Sequence, residues 1–438
     1  MTVIELLEKL GSPRAAEIFT ELYGAEQVEA ARNRFRILAE GMNDGFPGFN
    51  DDVRVFTAAG RTELGGNHTD HNFGKVLAAS IQMDAAAVVV PRNDNKVLFR
   101  SRGYPDVLVD LNDLSINDKE KGTTEALVRG IAAEMNAQGT PVGGFSANAE
   151  STVLGGSGLS SSAAVEVLFG KIFDRLYCGG KRTALEIAQI GQKAENTYFG
   201  KPSGLMDQTA CASGGAVAID FGDPKNPVVT QINFDLAAEG YSLCVVDTKG
   251  SHADLTPDYA AVPAEMKAVA AYFGKPRLRE LELKDLLPAV KDLRGKVGDR
   301  AILRAIHFFN ENDRVDAMLA LLEKLDEAGS AREKTDIING YFSLVNASGD
   351  SSWEFLQNVY SPKRPEEQGI SLALALTRNF LKTDGASRVH GGGFAGTIQA
   401  YVPAPRLGEY KSLMESVFGS GTVTVLRIRS VGAAEITF

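Results

Sequence analysis

The sequence predicts an α+β protein with two domains. Its 438 residues, 44% of them apolar and 23% charged, are enough to bury two cores. Between residues 53 and 151, short apolar runs alternate with turn signals, which is typical of antiparallel strands and hairpins. After residue 247 the pattern changes to long segments with helical spacing. We therefore expect both sheets and helices in this chain.

The composition argues against several classes of protein. A net charge of −10 and the lack of a basic patch argue against a nucleic-acid partner. No stretch reaches the roughly 20 apolar residues that span a bilayer, and residues 1–10 lack an apolar signal core, so we expect a cytoplasmic protein without membrane contact. The three cysteines are scattered, which argues against a disulfide framework or a zinc site.

The first elements surround a polar loop. Residues 1–50 have helical spacing and are expected to pack on the outside of the first domain. A strand is predicted at residues 53–59, followed by a loop at residues 60–74 with four glycines, two histidines, one arginine and two carboxylates. A polar, glycine-rich loop between buried strands is a common way for a fold to present reactive groups.

Four further strands and one helix follow this loop. The strands are predicted at residues 85–90, 96–101, 107–111 and 144–150. An amphipathic helix is predicted at residues 119–138, where apolar residues recur every four positions.

A second glycine-rich stretch, residues 151–164, combines glycines with small hydroxyl residues and precedes a helix at residues 165–177. Glycines let backbone amides approach an anion, and the first turn of a helix adds N–H donors, so the stretch suits phosphate binding. An ordinary serine-capped helix after a glycine turn has the same pattern. The spacing matches neither the P-loop nor the dinucleotide fingerprint.

Two acidic residues come next. A helix predicted at residues 183–198 carries Glu195, and the segment that follows it contains Asp207. Taken alone, Glu195 is typical of a solvated helix face and Asp207 of a helix cap.

The remaining chain contains a third glycine-rich stretch at residues 388–397, where close backbone approach to a ligand or to another segment is possible. Strands are predicted at residues 216–221, 241–247, 398–402, 422–428 and 434–438. Helices are predicted at residues 262–273, 301–325, 331–344, 369–382 and 405–418.

In this order, the three stretches resemble the motifs of the GHMP small-molecule kinases, and the first resembles the galactokinase signature. The family motif Gly-Arg-Val-Asn-Leu-Ile-Gly-Glu-His-Thr-Asp-Tyr-Asn is matched at Gly60, Arg61, Leu64, Gly66, His68, Thr69, Asp70 and Asn72. The second motif, Gly-Leu-Ser-Ser-Ser-Ala, is matched at residues 158–163, and the third, Gly-Gly-Gly-Phe-Gly-Gly, at residues 391–396 with Ala395 substituted. The family segment Gly-Ile-Met-Asp-Gln is similar to residues 204–208.

The resemblance implies a two-domain GHMP kinase fold with the active site in the cleft between the domains. The N-terminal domain, residues 1–210, would be of the ribosomal protein S5 domain 2-like type and would hold the phosphate-binding loop. The C-terminal domain, residues 211–438, would be ferredoxin-like. The implied activity is transfer of the γ-phosphoryl group of ATP to the C1 hydroxyl of galactose or a galactose-like sugar, by a monomer or weak homo-oligomer.

The resemblance also assigns roles to residues. Asp207 would be the catalytic aspartate, either as base or as orienter of the sugar hydroxyl, and Arg61 would keep it ionised. The nucleotide would be held by Gly155, Gly156, Gly158, Leu159, Ser160, Ser161 and Ser162. Mg²⁺ would be held by Glu195 and one serine, preferably Ser161, with Ser160 or Ser162 as alternatives. The sugar would be contacted by Asn67, His68, Asp70, Tyr259 and Gly392.

Four positions depart from the galactokinase pattern. Glu63 replaces an asparagine, His71 a tyrosine, His390 a threonine, and Asn67 a glutamate that accepts a hydrogen bond from the C6 hydroxyl. Because asparagine offers two donors and no charge, one hypothesis is a galactose modified at C6 or C2, such as galacturonate or galactosamine. A further alternative, from another class, is a sugar sensor on the same fold without catalysis.

Overall fold

The computed structural model describes residues 1–45, 52–153, 155, 158–250 and 255–438. Its strands are β1 (Arg54–Gly65), β2 (Lys75–Pro91), β3 (Lys96–Ser101), β4 (Val107–Asp110), β5 (Phe145–Ser151), β6 (Ala216–Asp220), β7 (Val228–Ile232), β8 (Tyr241–Asp247), β9 (Ala386–His390), β10 (Thr397–Pro403), β11 (Val423–Leu426) and β12 (Ala434–Ile436). Its α-helices are α1 (Val3–Leu10), α2 (Pro13–Tyr23), α3 (Val28–Gly45), α4 (Thr124–Ala137), α5 (Ser161–Tyr177), α6 (Ala184–Ala194), α7 (Met206–Ser213), α8 (Thr256–Tyr272), α9 (Leu283–Leu286), α10 (Val290–Lys296), α11 (Asp299–Glu327), α12 (Ala331–Ser351), α13 (Gly369–Leu381) and α14 (Leu407–Phe418).

The first sheet is built around β2. Its strand order is β12-β1-β2-β5-β3-β4, and β6 and β7 continue from the other half of β2. With 17 residues, β2 is long enough to pair with β6 along its first part and with β5 along its last part. All these pairings are antiparallel except β3 with β5. The pairing register between β1 and β2 shifts after Ala59 and again after Glu63, as at a β-bulge.

The two faces of this sheet are covered by different helices. Helices α4 to α7 pack on one face around a core that includes Phe145, Phe169 and Phe173. Helices α1 to α3 pack on the other face, where Phe19 and Phe35 contact a cluster that includes Val55. This confirms the prediction over residues 1–45, which form helices on the outside of the sheet, whereas residues 46–50 of the predicted segment lie outside the described residues.

The second sheet is smaller and antiparallel, with the order β11-β8-β10-β9. Helices α13 and α14 cover it with an apolar core of their own. The long helices α11 and α12 pack against each other, and residues of both join the core of the first sheet. The part of the chain that the structure describes therefore forms two sheets, as expected for an α+β fold, and α12 packs against β9 of the second sheet.

The predicted elements are largely confirmed, with several corrections. Strand β1 runs on to Gly65, so residues 60–65 of the predicted loop at residues 60–74 belong to a strand. Strands β7 and β9 and helix α7 were not predicted. The domain division at residue 210 stays a prediction; β6, β7 and β12, which follow that residue in the chain, belong to the first sheet. No helix among the described residues combines the length and apolarity needed to cross a membrane.

Candidate active site

A cleft of about 580 Å³ brings together segments that lie far apart in the sequence. Its walls come from the end of β1 and the turn after it, the segment before α7, the first half of α8, and the loop after β9. Its lining includes these residues predicted to act on the sugar: Arg61, Asn67, His68, Asp70, Asp207, Tyr259 and Gly392. The structure thus places them around one cleft, while their individual roles stay predictions.

Arg61 and Asp207 form an ion pair on the wall of this cleft. The Nε and Nη2 atoms of Arg61 each lie 2.8 Å from Oδ1 of Asp207. The third nitrogen, Nη1, donates to the carbonyl of Gly158. Gly158 belongs to the second glycine-rich stretch, residues 151–164, which we call the glycine-serine stretch. Because Asp207 lies in the first turn of α7, the helix dipole also favours its negative charge.

The other oxygen of the Asp207 carboxylate accepts a hydrogen bond from Ser160. The distance from Ser160 Oγ to Oδ2 is 2.5 Å. Ser160 precedes α5 and has left-handed backbone angles, φ 60° and ψ 57°, which are uncommon for a residue with a side chain. The glycine-serine stretch is therefore connected to Asp207 directly through Ser160, and through Arg61 by way of Gly158.

These contacts decide the charge of Asp207. Burial alone would raise its pKa, but the positive charge of Arg61 and the hydrogen bonds from Arg61 and Ser160 outweigh burial and lower the pKa below the ordinary aspartate value. Asp207 is consequently a charged acceptor at neutral pH and a weak base. It is suited to orienting a hydroxyl group beside a developing charge.

The predicted nucleotide-binding residues lie between β5 and the start of α5. Gly155 is exposed, and a Cβ added there would meet nothing within 4 Å. Gly158 has φ +71° and faces the Thr397 and His390 side chains, so a side chain would not fit there. Leu159 is buried, whereas Ser161 and Ser162 form the first turn of α5. Gly156, also predicted to bind nucleotide, lies outside the described residues.

Glu195 is buried rather than solvated. It begins a π-helical turn, Glu195–Phe199, and is 2% exposed. Its Oε1 lies 2.9 Å from Nζ of Lys201, and its Oε2 accepts from Nε2 of Gln208 at 3.0 Å. The same amide donates to Oε2 of the buried Glu166 at 2.9 Å. Lys201 also lines the cleft, and its side chain is 59% exposed.

The oxygen donors around Glu195 fit a hard divalent cation such as Mg²⁺. Oε1 of Glu166, which is buried, has no hydrogen-bond partner among the described residues. Burial, together with the charge of nearby Glu195, raises the pKa of Glu166. The described residues contain no group of three His, Cys, Asp or Glu side chains arranged to hold a metal alone, so the remaining ligands would come from Ser161, phosphate or water.

His68 faces the cleft as a neutral ring. Burial, together with the neighbouring His71, lowers the pKa of His68 to about 3. Its Nε2 lies 3.0 Å from the carbonyl oxygen of Gly392, which can only accept, so Nε2 carries the proton. The buried Nδ1 has no partner among the described residues and is free to accept a hydrogen bond.

Asp70 is held close to the backbone of Gly204. Its Oδ1 accepts from the backbone N–H of His71 at 2.9 Å. A Cβ added to Gly204 would lie 1.7 Å from Oδ2 of Asp70, so glycine alone fits there. The carboxylate remains at the surface of the cleft, with its side chain 10% exposed.

Tyr259 and Gly392 also contact each other. A Cβ on Gly392 would lie 2.6 Å from Cε1 of Tyr259, and the Tyr259 hydroxyl donates to the carbonyl of Gly393 at 2.9 Å. Burial raises the pKa of Tyr259 to about 12, so this hydroxyl stays protonated. Helix α8 is thereby fixed to the third glycine-rich stretch.

The side chain of Asn67 points into the protein, contrary to the expectation of free donors. Its Nδ2 donates to Oε1 of Glu63 at 3.0 Å and to the carbonyl of Gly391 at 2.7 Å. Its Oδ1 accepts from Nδ2 of Asn358 at 2.9 Å. Since both N–H donors are engaged, Asn67 does not offer them to a substrate carboxylate.

Two further residues at the site, Lys201 and Glu311, were not predicted from the sequence. Oε1 of Glu311, on α11, accepts from the backbone N–H groups of Gly66 and Asn67 at 3.1 and 3.4 Å, and so supports the turn after β1. Its signal was an acidic residue within a helix, which is usually solvated. For Lys201 the available signal was a basic residue six positions after Glu195, within the same motif.

Comparison with protein-family models gives two matches. Residues 126–215 match the GHMP kinases N terminal domain, and residues 47–91 match the galactokinase galactose-binding signature. These ranges include most of the site described above, namely β1, β2, the start of α5, and α7.

Individual proteins are similar over most of the chain. A galactokinase of Streptomyces coelicolor is 31% identical over 418 residues, 94% of each protein. The crystal structure of Lactococcus lactis galactokinase complexed with galactose superposes with a TM-score of 0.76 and 25% identity, covering 92% of this chain and all of that one. Mevalonate kinase from L. major, with a TM-score of 0.55 and 14% identity, covers 88% of this chain and 98% of its own and shares the fold.

Proposed function

The chain belongs to the galactokinase family of GHMP kinases, and we propose that it transfers the γ-phosphoryl group of ATP to the C1 hydroxyl of galactose. The observation that carries this proposal is the Arg61–Asp207 ion pair, which lies between the glycine-serine stretch and the cleft containing His68 and Asp70. A charged acceptor and a cation therefore lie between the segment that would bind phosphate and the cleft that would bind the sugar, which supports the proposal.

Phosphoryl transfer needs positioning and charge stabilisation more than strong proton abstraction. Asp207, whose pKa is lowered, would accept the hydrogen bond of the C1 hydroxyl and orient its oxygen for attack. The proton would move to Asp207 late, when the oxygen has already begun to bond to phosphorus. Arg61 holds Asp207 in position and stabilises charge on the transferred group.

The nucleotide would lie along the β5–α5 segment. Backbone N–H groups of residues 158–162 and the N-terminal end of α5 suit the triphosphate oxygens. Ser160 would give up its hydrogen bond to Asp207 when the sugar hydroxyl takes that place. Glu195 and Ser161 would hold Mg²⁺, which supplies charge neutralisation for the phosphates when bound.

The sugar would be oriented by groups on the turn after β1. Asp70 presents a carboxylate to two hydroxyl groups, and Nδ1 of His68 accepts a hydrogen bond from a third. Tyr259 and Gly392 would close the opposite side of the cleft.

A coupled assay of ADP release tests the proposal. The purified protein is mixed with MgATP and, in turn, with galactose, galactosamine, N-acetylgalactosamine, galacturonate and arabinose, and the galactose product is examined by ³¹P NMR for a C1 phosphate. We expect galactose to give the highest kcat/KM, and the Asp207→Asn variant to serve as the background control. ADP release with none of these sugars, together with measurable galactose binding, would favour a sugar sensor instead.

A further inference from the structure

Helix α11 carries two buried polar residues that the proposed mechanism does not use. His307 and Glu311 lie one turn apart on this helix, and both are fully buried. Burying such groups costs free energy unless they are hydrogen-bonded, so their partners indicate what they do. Both side chains reach the turn that follows β1 and carries His68.

The two side chains bind three consecutive peptide units of this turn. Oε1 of Glu311 accepts from the N–H groups of Gly66 and Asn67. Nε2 of His307 lies 2.9 Å from the carbonyl oxygen of Asn67, which belongs to the peptide unit that joins Asn67 to His68. Because a carbonyl oxygen only accepts, Nε2 of His307 carries the proton. The last three peptide planes before His68 are therefore fixed by α11.

The two side chains are themselves held by α12. Nδ1 of His307 lies 2.8 Å from the hydroxyl of Ser351, and Oε1 of Glu311 accepts from the hydroxyl of Ser348 at 2.6 Å. Glu311 also forms an ion pair with Arg314. Burial lowers the pKa of His307, so its ring stays neutral and Nδ1 accepts from Ser351. Neither side chain can leave its place without exposing an unpaired buried group.

His68 has a backbone conformation that needs such support. Its φ is +58°, in the left-handed region, which is uncommon for a residue with a side chain. Such conformations persist where the surrounding structure enforces them. The φ angle is set by the plane of the preceding peptide unit, which here is the unit that His307 binds. With this backbone, the ring of His68 lines the cleft, where its buried Nδ1 has no partner among the described residues.

We propose that His307 is a positioning residue of the sugar site. Together with Glu311, it fixes the peptide units before His68, so that the backbone of His68 stays left-handed and its Nδ1 is aimed at the bound sugar. This inference rests on the proposed function, in which His68 contacts the sugar. It extends the site to α11, although no described residue of that helix lines the cleft.

A double-mutant cycle for galactose binding tests the proposal. We compare wild type, His307→Phe, His68→Ala and the double variant H68A/H307F, measuring the Kd for galactose by calorimetry without nucleotide. His307→Phe keeps a ring but removes both nitrogens. Each single variant is expected to raise the Kd about tenfold, which corresponds to the loss of one hydrogen bond to the sugar. The double variant is also expected to lie about tenfold above wild type, because His307 acts through His68.

Three further measurements distinguish positioning from a general loss of stability. His307→Gln, whose amide can donate to the carbonyl of Asn67, is expected to return the Kd to within about threefold of wild type. Ile302→Ala, a core substitution on the same helix, should lower the unfolding midpoint and leave the Kd unchanged. In steady-state assays of His307→Phe, the KM for galactose should rise while the KM for ATP stays close to wild type.

Two results would overturn the proposal. One is a Kd for His307→Phe within about twofold of wild type, and the other is a double variant weakened by the product of the two single effects, about a hundredfold. If His307→Phe does not fold, Ser351→Ala replaces it in the cycle, because it removes the hydroxyl that holds the His307 ring. Its expected increase in Kd is about threefold, and this increase should disappear in the His68→Ala background.

A measurement without any ligand separates this proposal from the proposed function. The ring of His68 is followed by NMR as the pH passes 6.5, and its signals are assigned by their loss in His68→Ala. In wild type, burial and the neighbouring His71 lower the pKa of His68 to about 3, whereas in His307→Phe the released ring should titrate near 6.5. An unchanged pKa of His68 in His307→Phe would contradict the positioning role. If wild type phosphorylates no sugar, the proposed function fails, and the shifted pKa still supports this role.

Discussion

Substitution of Gly204 by alanine should disable sugar binding without a change at the nucleotide site. An added Cβ would lie 1.7 Å from Oδ2 and 2.4 Å from Cγ of Asp70. Ordinary contact begins at 3.4 Å, so the carboxylate must move by about 1.7 Å, the difference of the two values. Asp70 has little freedom to move because its Oδ1 is held by the backbone N–H of His71.

The size of the effect follows from the hydrogen bonds that would be lost. A movement of about 1.7 Å away from the sugar would lengthen a hydrogen bond well beyond the donor–acceptor distances of about 2.7–3.2 Å over which hydrogen bonds form. Each hydrogen bond to a charged acceptor contributes about 1.5–3 kcal/mol, and each 1.36 kcal/mol corresponds to a factor of ten. Loss of one to two such bonds from Asp70 to the sugar predicts a decrease in kcat/KM for galactose of about tenfold at the least, and of about 100-fold or more if both bonds are lost.

The assay is steady-state ADP release with varied galactose and, separately, varied ATP. We expect the KM for galactose to rise strongly while the KM for ATP and the unfolding midpoint stay close to wild type. Gly408→Ala is the matched control, because a Cβ there meets nothing within 4 Å and the residue lies in α14, far along the chain from the site. If Gly204→Ala retains a galactose kcat/KM within threefold of wild type, Asp70 does not bind the sugar as proposed.

Three further predictions concern charged groups. Asp207→Asn should lower kcat by about 10²–10⁴-fold with little change in the KM for galactose. In the wild-type protein the pKa of Asp207 is lowered, so the acid limb of the pH profile of kcat should lie below the ordinary pKa range of aspartate. Lys201→Met should lower the Mg²⁺ concentration for half-maximal ADP binding, measured by calorimetry, by up to about fivefold, because a partly exposed cation no longer competes for Glu195. Glu311→Gln should destabilise the protein by about 3 kcal/mol in urea unfolding, because it leaves Arg314 unpaired and weakens the turn after β1.

Each of these predictions has a contrary result. An Asp207→Asn protein with more than a tenth of wild-type kcat would remove Asp207 from the reaction. Lys193→Met, which breaks a similar pair with Glu134 on the protein surface, is the control for Lys201, and equal Mg²⁺ shifts in both would refute competition at Glu195.

The contribution of Glu311 to the free energy of unfolding should decrease as the pH falls. Its pKa is lowered to about 2 despite burial, chiefly by His307 and Arg314, so the contribution is present above pH 4.5 and is lost as the pH falls toward 2. A Glu311→Gln effect that persists undiminished at pH 2 would contradict this.

The sequence predicted most strands and helices whose side chains follow a regular period, and the resemblance predicted the residues around the cleft. Helix α7 was missed because it is surrounded by protein, so its buried residues are small and polar and show no apolar stripe, as with Gln208, Thr209 and Ala210. Strand β7 was missed because it lies at the edge of the first sheet and is mostly exposed.

What the sequence could not predict were contacts between distant residues. Glu63 and Asn67 were each recognised as departures, but their pairing depends on the irregularity in β1 and the turn at Gly66. The same holds for Glu195, whose burial and pairing with Lys201 arise from the π-helical turn that begins there. The local sequence pattern identifies such residues, but it does not show which other residues they contact in the fold.

The pairing of β12 with β1 also determines when this protein can finish folding during synthesis. Residues 434–436 form the edge strand beside β1, and Arg429 inserts a fully buried guanidinium next to Asp84 of β2. The first sheet, although made mainly from the first half of the chain, therefore lacks an edge strand and a buried counter-charge until residues 429–436 have emerged from the ribosome. Until then, the charge of Asp84 is balanced by Arg34 without Arg429, and the outer edge of β1 stays open. Chaperone binding or strand exchange between chains would act in this interval.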